Sequence, residues 1–168
     1  MDYSEYLKSV SERLRAAEFQ LSRDIKIARF DVDLYAFKDW TGTSVVTSTH
    51  KHVTCMFLAL PNAAQRDIED FSRAAVAYED EKRGEILVYY QGIFPTRLVL
   101  PIIVSERPSK DALAFLKDYN PSLAQQYLHP VLVNLASGQI NHRVGVPFLG
   151  AGYDRILNGI VRDYLMPV

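Results

Sequence analysis

The sequence predicts an α/β fold built on one mixed sheet, and three observations predict it. An apolar stripe with helical spacing opens the chain, the apolar period then drops to two, and beyond that apolar β runs alternate with helical segments. The expected order is a helix, a three-stranded antiparallel meander, then helix, strand, helix, strand and a C-terminal helix, all in a single domain over 1–168.

Tyr3, Tyr6, Leu7, Val10, Leu14, Ala17 and Leu21 recur at steps of three and four, with Lys8, Glu12, Arg13 and Arg15 on the other faces, which predicts a helix over 3–22. Asp2 and Glu5 have the spacing of a capping box, which satisfies backbone amides that a helix start leaves unpaired. From Ile25 the period is two: Phe30, Val32, Leu34 and Ala36 point one way, and Asp31, Asp33, Tyr35 and Phe37 the other. This is a strand over 27–37. KDWTGT at 38–43 has turn composition, and the β-branched TSVVTST and apolar HVTCMFLAL then predict strands over 43–49 and 52–60.

Pro61 and Asn62 end the meander, and Asn62 with Gln65 offers a capping pair before Ala64, Ile68, Phe71, Ala75 and Tyr78 repeat at helical spacing. That helix runs to about Lys82, and its charged EDEKR end reads as solvated, with Gly84 behind it. EILVYYQGIF at 85–94 reads as a strand, a restarted helix being the alternative. LVLPIIV is apolar on both parities, as in a strand covered on both faces, but Pro101 lacks a ladder donor, so the regular strand is expected from Ile102. Ser109 caps a helix carrying Ala112, Leu113, Leu116 and Tyr119 that Asn120-Pro121 ends. A short helix at 122–128, a strand at 131–135, a turn at 136–138 and an amphipathic helix at 154–165 complete the chain.

Composition bounds the function classes. A 48% hydrophobic and 23% charged chain is neither disordered nor fibrous. Nineteen basic against twenty acidic residues leave a net charge of −1, so no overall field draws the chain to nucleic acid or to an anionic membrane. The N-terminus MDYSEYLKS is polar, without a secretory pattern, and LVLPIIV at 98–104 is far shorter than a membrane span of about 20 residues, so the cytoplasm is the expected compartment. The single cysteine, Cys55, excludes an intramolecular disulfide and reads as a buried small hydrophobe.

Few residues offer chemistry. Asp31 and Asp33, two apart on a strand, can share a divalent cation such as magnesium, but the neighbouring strands supply Ser, Thr, His and Lys rather than further acids. His50 and His52 flank the predicted turn between the second and third strands on one face, a spacing used by metal sites, with Asp31 or Asp33 as a third ligand. Solvated histidines and half-wet aspartates are the structural alternative. His129 and His142 have no partner in sequence, no serine sits in a G-x-S-x-G elbow, and GAG at 150–152 lacks the glycine pattern of a phosphate loop. Ten tyrosines and eight phenylalanines, including YYQGIF at 89–94, serve a core or line a small-molecule pocket.

The order helix, three-stranded meander, helix, strand, helix, strand resembles the core of the restriction-endonuclease-like fold over about 3–135. Glu18 stands where that superfamily often carries an acid on its first helix, and LVLPIIVSE with the helix after it resembles its later strand and crossover helix. The resemblance implies, for an active member, an aspartate near the start of strand two and an acid-x-lysine pair on strand three. TSVVTST and HVTCMFLAL contain neither, and Asp31 and Asp33 fall on the predicted first strand.

The function expected is therefore a noncatalytic binding or interaction domain, with no cofactor predicted and no partner identified. The alternative is a nuclease-like enzyme in which Glu18, Asp31 and Asp33 hold magnesium or manganese with Lys51 near the scissile phosphate. An exposed meander face or unpaired strand edge would favour a homo-oligomer.

Overall fold

A computed structural model describes residues 2–43, 48–83, 97–119, 128–143 and 156–167, with the backbone alone for 40–43, 48–51 and 83. The strand predicted at 85–94, most of the short helix at 122–128, the Asn120-Pro121 stop and the GAG segment lie outside the described residues.

Helix α1 covers Tyr3–Ala16 and begins with the expected capping box: Asp2 accepts from the Glu5 amide at 2.8 Å, and the Glu5 side chain accepts from the Asp2 amide at 3.2 Å. It ends a turn and a half before the predicted Ser22. Glu18 adopts a left-handed φ of 65°, its amide reaches the Arg15 carbonyl at 2.9 Å, and the Phe19 amide reaches Leu14 at 3.0 Å. These bonds form a Schellman termination, and Phe19 packs with Leu14 in the core as that motif requires. Leu21 continues the helical spacing but lies on a strand.

That strand, β1 (Gln20–Ile27), forms a hairpin with β2 (Phe30–Thr43) through Ala28, whose φ is 50°. The predicted strand over 27–37 thus straddles a turn, hidden in sequence because Ala-Arg lacks the Asn-Gly signature of such turns. β3 (Ser48–Ala59) pairs with β2 from Leu34↔Phe57 to Thr43↔Ser48, so KDWTGT is strand rather than turn; of the strand predicted at 43–49, Thr43 ends β2, Ser48 and Thr49 begin β3, and 44–47 lie outside the described residues. The antiparallel meander stands, shifted by one strand.

The predicted alternation along β2 fails at Asp33. Leu34 and Ala36 pack on the α1 side and Tyr35 on the other, but Val32 and Phe30 join Tyr35's layer. Pairing with β3 begins only at Leu34, so the two-stranded ribbon beyond it twists freely towards the opposite layer. Asp24, with φ 54°, lies in β1 between the paired Arg23 and Ile25, beside this turn of the ribbon.

Helix α2 (Gln65–Arg83) follows, its start capped by Asp67, which accepts from the Ala64 amide, rather than by Asn62. β4 (Arg97–Ser105) is buried throughout and runs parallel to β3, with Pro101 inside it. Val99 accepts from the His129 amide on the β5 side, so two residues on the missing Pro101 donor faces the same side, where β5 (Val131–Asn134) has not yet begun to pair. Ser109 caps α3 (Lys110–Asp118) through the Ala112 amide, as expected. β5 turns through Gly138, φ 68°, into β6 (Gln139–His142), a strand that QINH with its single aliphatic residue does not announce. The C-terminal helix α4 is described over 156–165, and Val161–Leu165 form a π-helical last turn.

The sheet order is β1-β2-β3-β4-β5-β6, antiparallel at its two ends and parallel in its centre. α1 and α4 cover one face, where Tyr6 donates to the Leu165 carbonyl at 2.8 Å; α2 and α3 cover the other. No helix among the described residues is long and apolar enough to cross a membrane.

Candidate functional site

The acids singled out by sequence are dispersed by the fold. Asp31 sits on the exposed hairpin, paired with Lys26 at 2.9 Å. Asp33 lies inward: its Oδ2 accepts from the Tyr3 hydroxyl at 2.8 Å and from the Ala59 amide at 3.2 Å. The Leu60 amide donates to Val104 of β4, so the Ala59 amide faces β2 at the point where β2 has left the ladder. Asp33 thereby replaces a lost ladder partner. Burial and the Asp33 carboxylate push the Tyr3 hydroxyl well above the ordinary phenol range, which keeps it a donor.

Glu18 lies beyond α1, exposed, 3.6 Å from Lys38, which also donates to the Ala17 carbonyl at 2.6 Å. Lys51 pairs in register with Trp40, seven residues along β2 from Asp33, roughly 20 Å at the usual strand rise. His50 and His52 lie inside β3, opposite Thr41 and Asp39, rather than around a turn. The register therefore separates both histidines and Lys51 from Asp31 and Asp33. Among the described residues no three His, Cys, Asp or Glu side chains stand together as metal ligands. Cys55 is fully buried, and burial pushes its thiol up to about 12. His129 is buried and His142 lies on β6, where burial lowers its pKa.

A polar constellation forms instead at the other end of the meander. Asp39, His52 and Arg97 are neighbours in register across β2, β3 and β4, on the face that α2 covers. His52 Nδ1 is hydrogen-bonded to Asp39, and its Nε2 lies 3.0 Å from the Thr54 hydroxyl and 3.6 Å from Glu79. Glu79, 0% exposed, accepts from Tyr35 at 2.7 Å and from Thr54 at 3.1 Å. Arg97 pairs with Asp80 at 3.0 Å, and the Lys82 ammonium sits 4.6 Å above the Tyr35 ring. EDEKR is thus a solvated helix end only in part: Glu81 and Lys82 are exposed, but its first residue, Glu79, is the buried anchor of α2.

Asp39, His52 and Thr54 have the connectivity of an acid, a base and a nucleophile. Thr54 is fully buried, however, and its hydroxyl is given to Glu79, so no reacting atom is presented. What the arrangement does is fasten α2 to the sheet through hydrogen bonds to an otherwise costly buried carboxylate. Of these residues the sequence singled out His52 alone, as a metal-ligand candidate, and passed over Asp39, Thr54 and Glu79, although one signal existed: Glu79 follows Phe71 and Ala75 at helical spacing and so falls on the apolar stripe of α2.

No protein-family model matches the chain, and no curated protein matches it. Among solved structures, a crystal structure of a repair endonuclease from Pyrococcus abyssi is similar at 17% identity and a TM-score of 0.39, over 71% of this chain and 44% of that one. The chain spans less than half of that protein's length, and so low a score describes a partial likeness of layout without bearing on chemistry.

Proposed function

We propose that this chain is a noncatalytic binding or interaction domain. The observation that carries this reading is the use of Asp33. The resemblance implies an aspartate near the start of strand two, and with β1 at Gln20–Ile27 that position falls on Asp31 and Asp33. One of these is spent on Lys26 at the surface, the other on Tyr3 and the Ala59 amide. β3, reading STHKHVTCMFLA, holds no acidic residue to complete a metal site beside them. Divalent-metal chemistry needs oxygen ligands converging from more than one element.

A second reading, a nuclease-like enzyme using magnesium or manganese, draws on the same strand-two placement of Asp31 and Asp33. It requires a further acid from outside the meander. Incubation with single- and double-stranded DNA and RNA in Mg²⁺ or Mn²⁺ separates the two. No cleavage above buffer supports the binding domain; cleavage abolished by Asp33→Ala would overturn it.

A further inference from the structure

Three guanidinium groups converge on one carboxylate where α2 meets the tip of the β1–β2 hairpin. Asp70 lies 2.6 Å from Arg29, 3.7 Å from Arg66 and 3.6 Å from Arg73. The three arginine side chains are 62%, 85% and 79% exposed, whereas Asp70 is 20% exposed. The nearest acids on α2 are engaged elsewhere, Asp67 with the Ala64 amide and Glu69 with Gln65.

We propose that this cluster docks a phosphate monoester carried by a partner protein. Among the four charged groups in contact, three positive charges against one negative leave two, which matches a monoester dianion better than the single charge of a backbone diester, while Asp67 and Glu69 keep their own charges beside neutral partners. Each arginine meets Asp70 through one nitrogen and keeps further N–H donors for a second oxyanion, in the planar fork that suits phosphate. Asp70 holds the forks together. Arg29 is fixed further: its guanidinium lies 5.1 Å from the centroid of Phe30, which in turn packs edge-on to Phe71 at 5.2 Å. Such ordering lowers the entropy lost on binding.

Arginines as exposed as these lie open to solvent, so a small phosphorylated molecule would gain little beyond its phosphate. A phosphorylated segment can extend along α2 and the hairpin, and that mode of recognition by arginine clusters suits an interaction domain. The inference names a partner for the binding reading, yet the cluster shares no residue with Asp33 or the Glu79 network, so each can fail without the other.

The test is fluorescence anisotropy with a degenerate peptide library carrying a central phosphoserine, its serine twin, free phosphoserine and a single-stranded oligonucleotide, each at low and raised salt. The expected result is binding of the phosphorylated library at least ten-fold tighter than its twin, weakened by salt, and at least ten-fold weaker to Arg66→Gln/Arg73→Gln, whose exposed side chains leave folding intact. Equal binding of the twin, free phosphoserine binding as tightly as the library, tighter binding of the oligonucleotide, or an unchanged Arg66→Gln/Arg73→Gln variant each overturns the proposal.

Discussion

Replacing Asp33 by alanine removes one acceptor from two donors. The Tyr3 hydroxyl loses a carboxylate partner at 2.8 Å, a class of bond that contributes about 1.5–3 kcal/mol, and the Ala59 amide loses its acceptor at 3.2 Å, where an unsatisfied buried donor costs about 1–3 kcal/mol. Both groups are only partly buried, so water recovers some of each, and the net expectation is about 2–3 kcal/mol. For a chain of 168 residues that lowers the melting temperature by roughly 4–12 °C. Asp33→Asn keeps an acceptor and should cost under about 1 kcal/mol; Asp31→Ala, losing an exposed pair with Lys26, should stay within about 0.5 kcal/mol. Thermal and urea unfolding followed by circular dichroism measure all three. An Asp33→Ala protein as stable as Asp31→Ala would refute the structural role. One more stable than the parent would mark a carboxylate kept for function at the expense of stability.

Glu79→Ala leaves the Tyr35 and Thr54 hydroxyls facing an empty buried site and should cost about 3–5 kcal/mol by urea unfolding, while Glu79→Gln loses less than half of that. Glu18→Gly relieves a left-handed residue at a helix end and gives up only an exposed contact with Lys38, so the melting temperature should rise by roughly 2–4 °C, about 1 kcal/mol. The Cys55 thiol is raised in the folded chain, so the folded state holds its proton longer than the unfolded one, and stability must fall as pH climbs from about 9 towards 12. Cys55→Ala should flatten that decline in pH-dependent unfolding, and native Cys55 should resist thiol reagents at neutral pH. For His142 the sign is opposite: its folded pKa is lowered, so the unfolded chain takes up the proton first and stability drops as pH falls below about 6.5, a slope that His142→Asn should reduce.

Periodicity made the layered order legible, because α1, α2, α3 and the apolar β4 each bury a face whose spacing is written in the chain. Boundaries failed where conformation ran against residue type. Glu18, Asp24 and Ala28 take left-handed φ values without glycine, so neither the end of α1 nor the first hairpin carried its usual signature, and the strand count slipped by one. That slip placed Asp31 and Asp33 on a first strand when they stand at the start of the second. The Glu79 network stayed hidden for another reason: an acid in a run of charges reads as solvated unless its place on the apolar stripe is weighed against its type.

The central claim, that Asp33 is an internal acceptor and no metal ligand, is tested most directly by thermal unfolding across a titration of Mn²⁺ and Mg²⁺, with the parent beside Asp31→Ala/Asp33→Ala. Specific binding to the folded state must raise its stability, by an amount that grows with the logarithm of metal concentration once that exceeds Kd. The expected result is a metal-independent melting temperature in both proteins, with the variant lower at every concentration. A rise in the parent that the variant lacks would contradict the claim and place a metal on these aspartates.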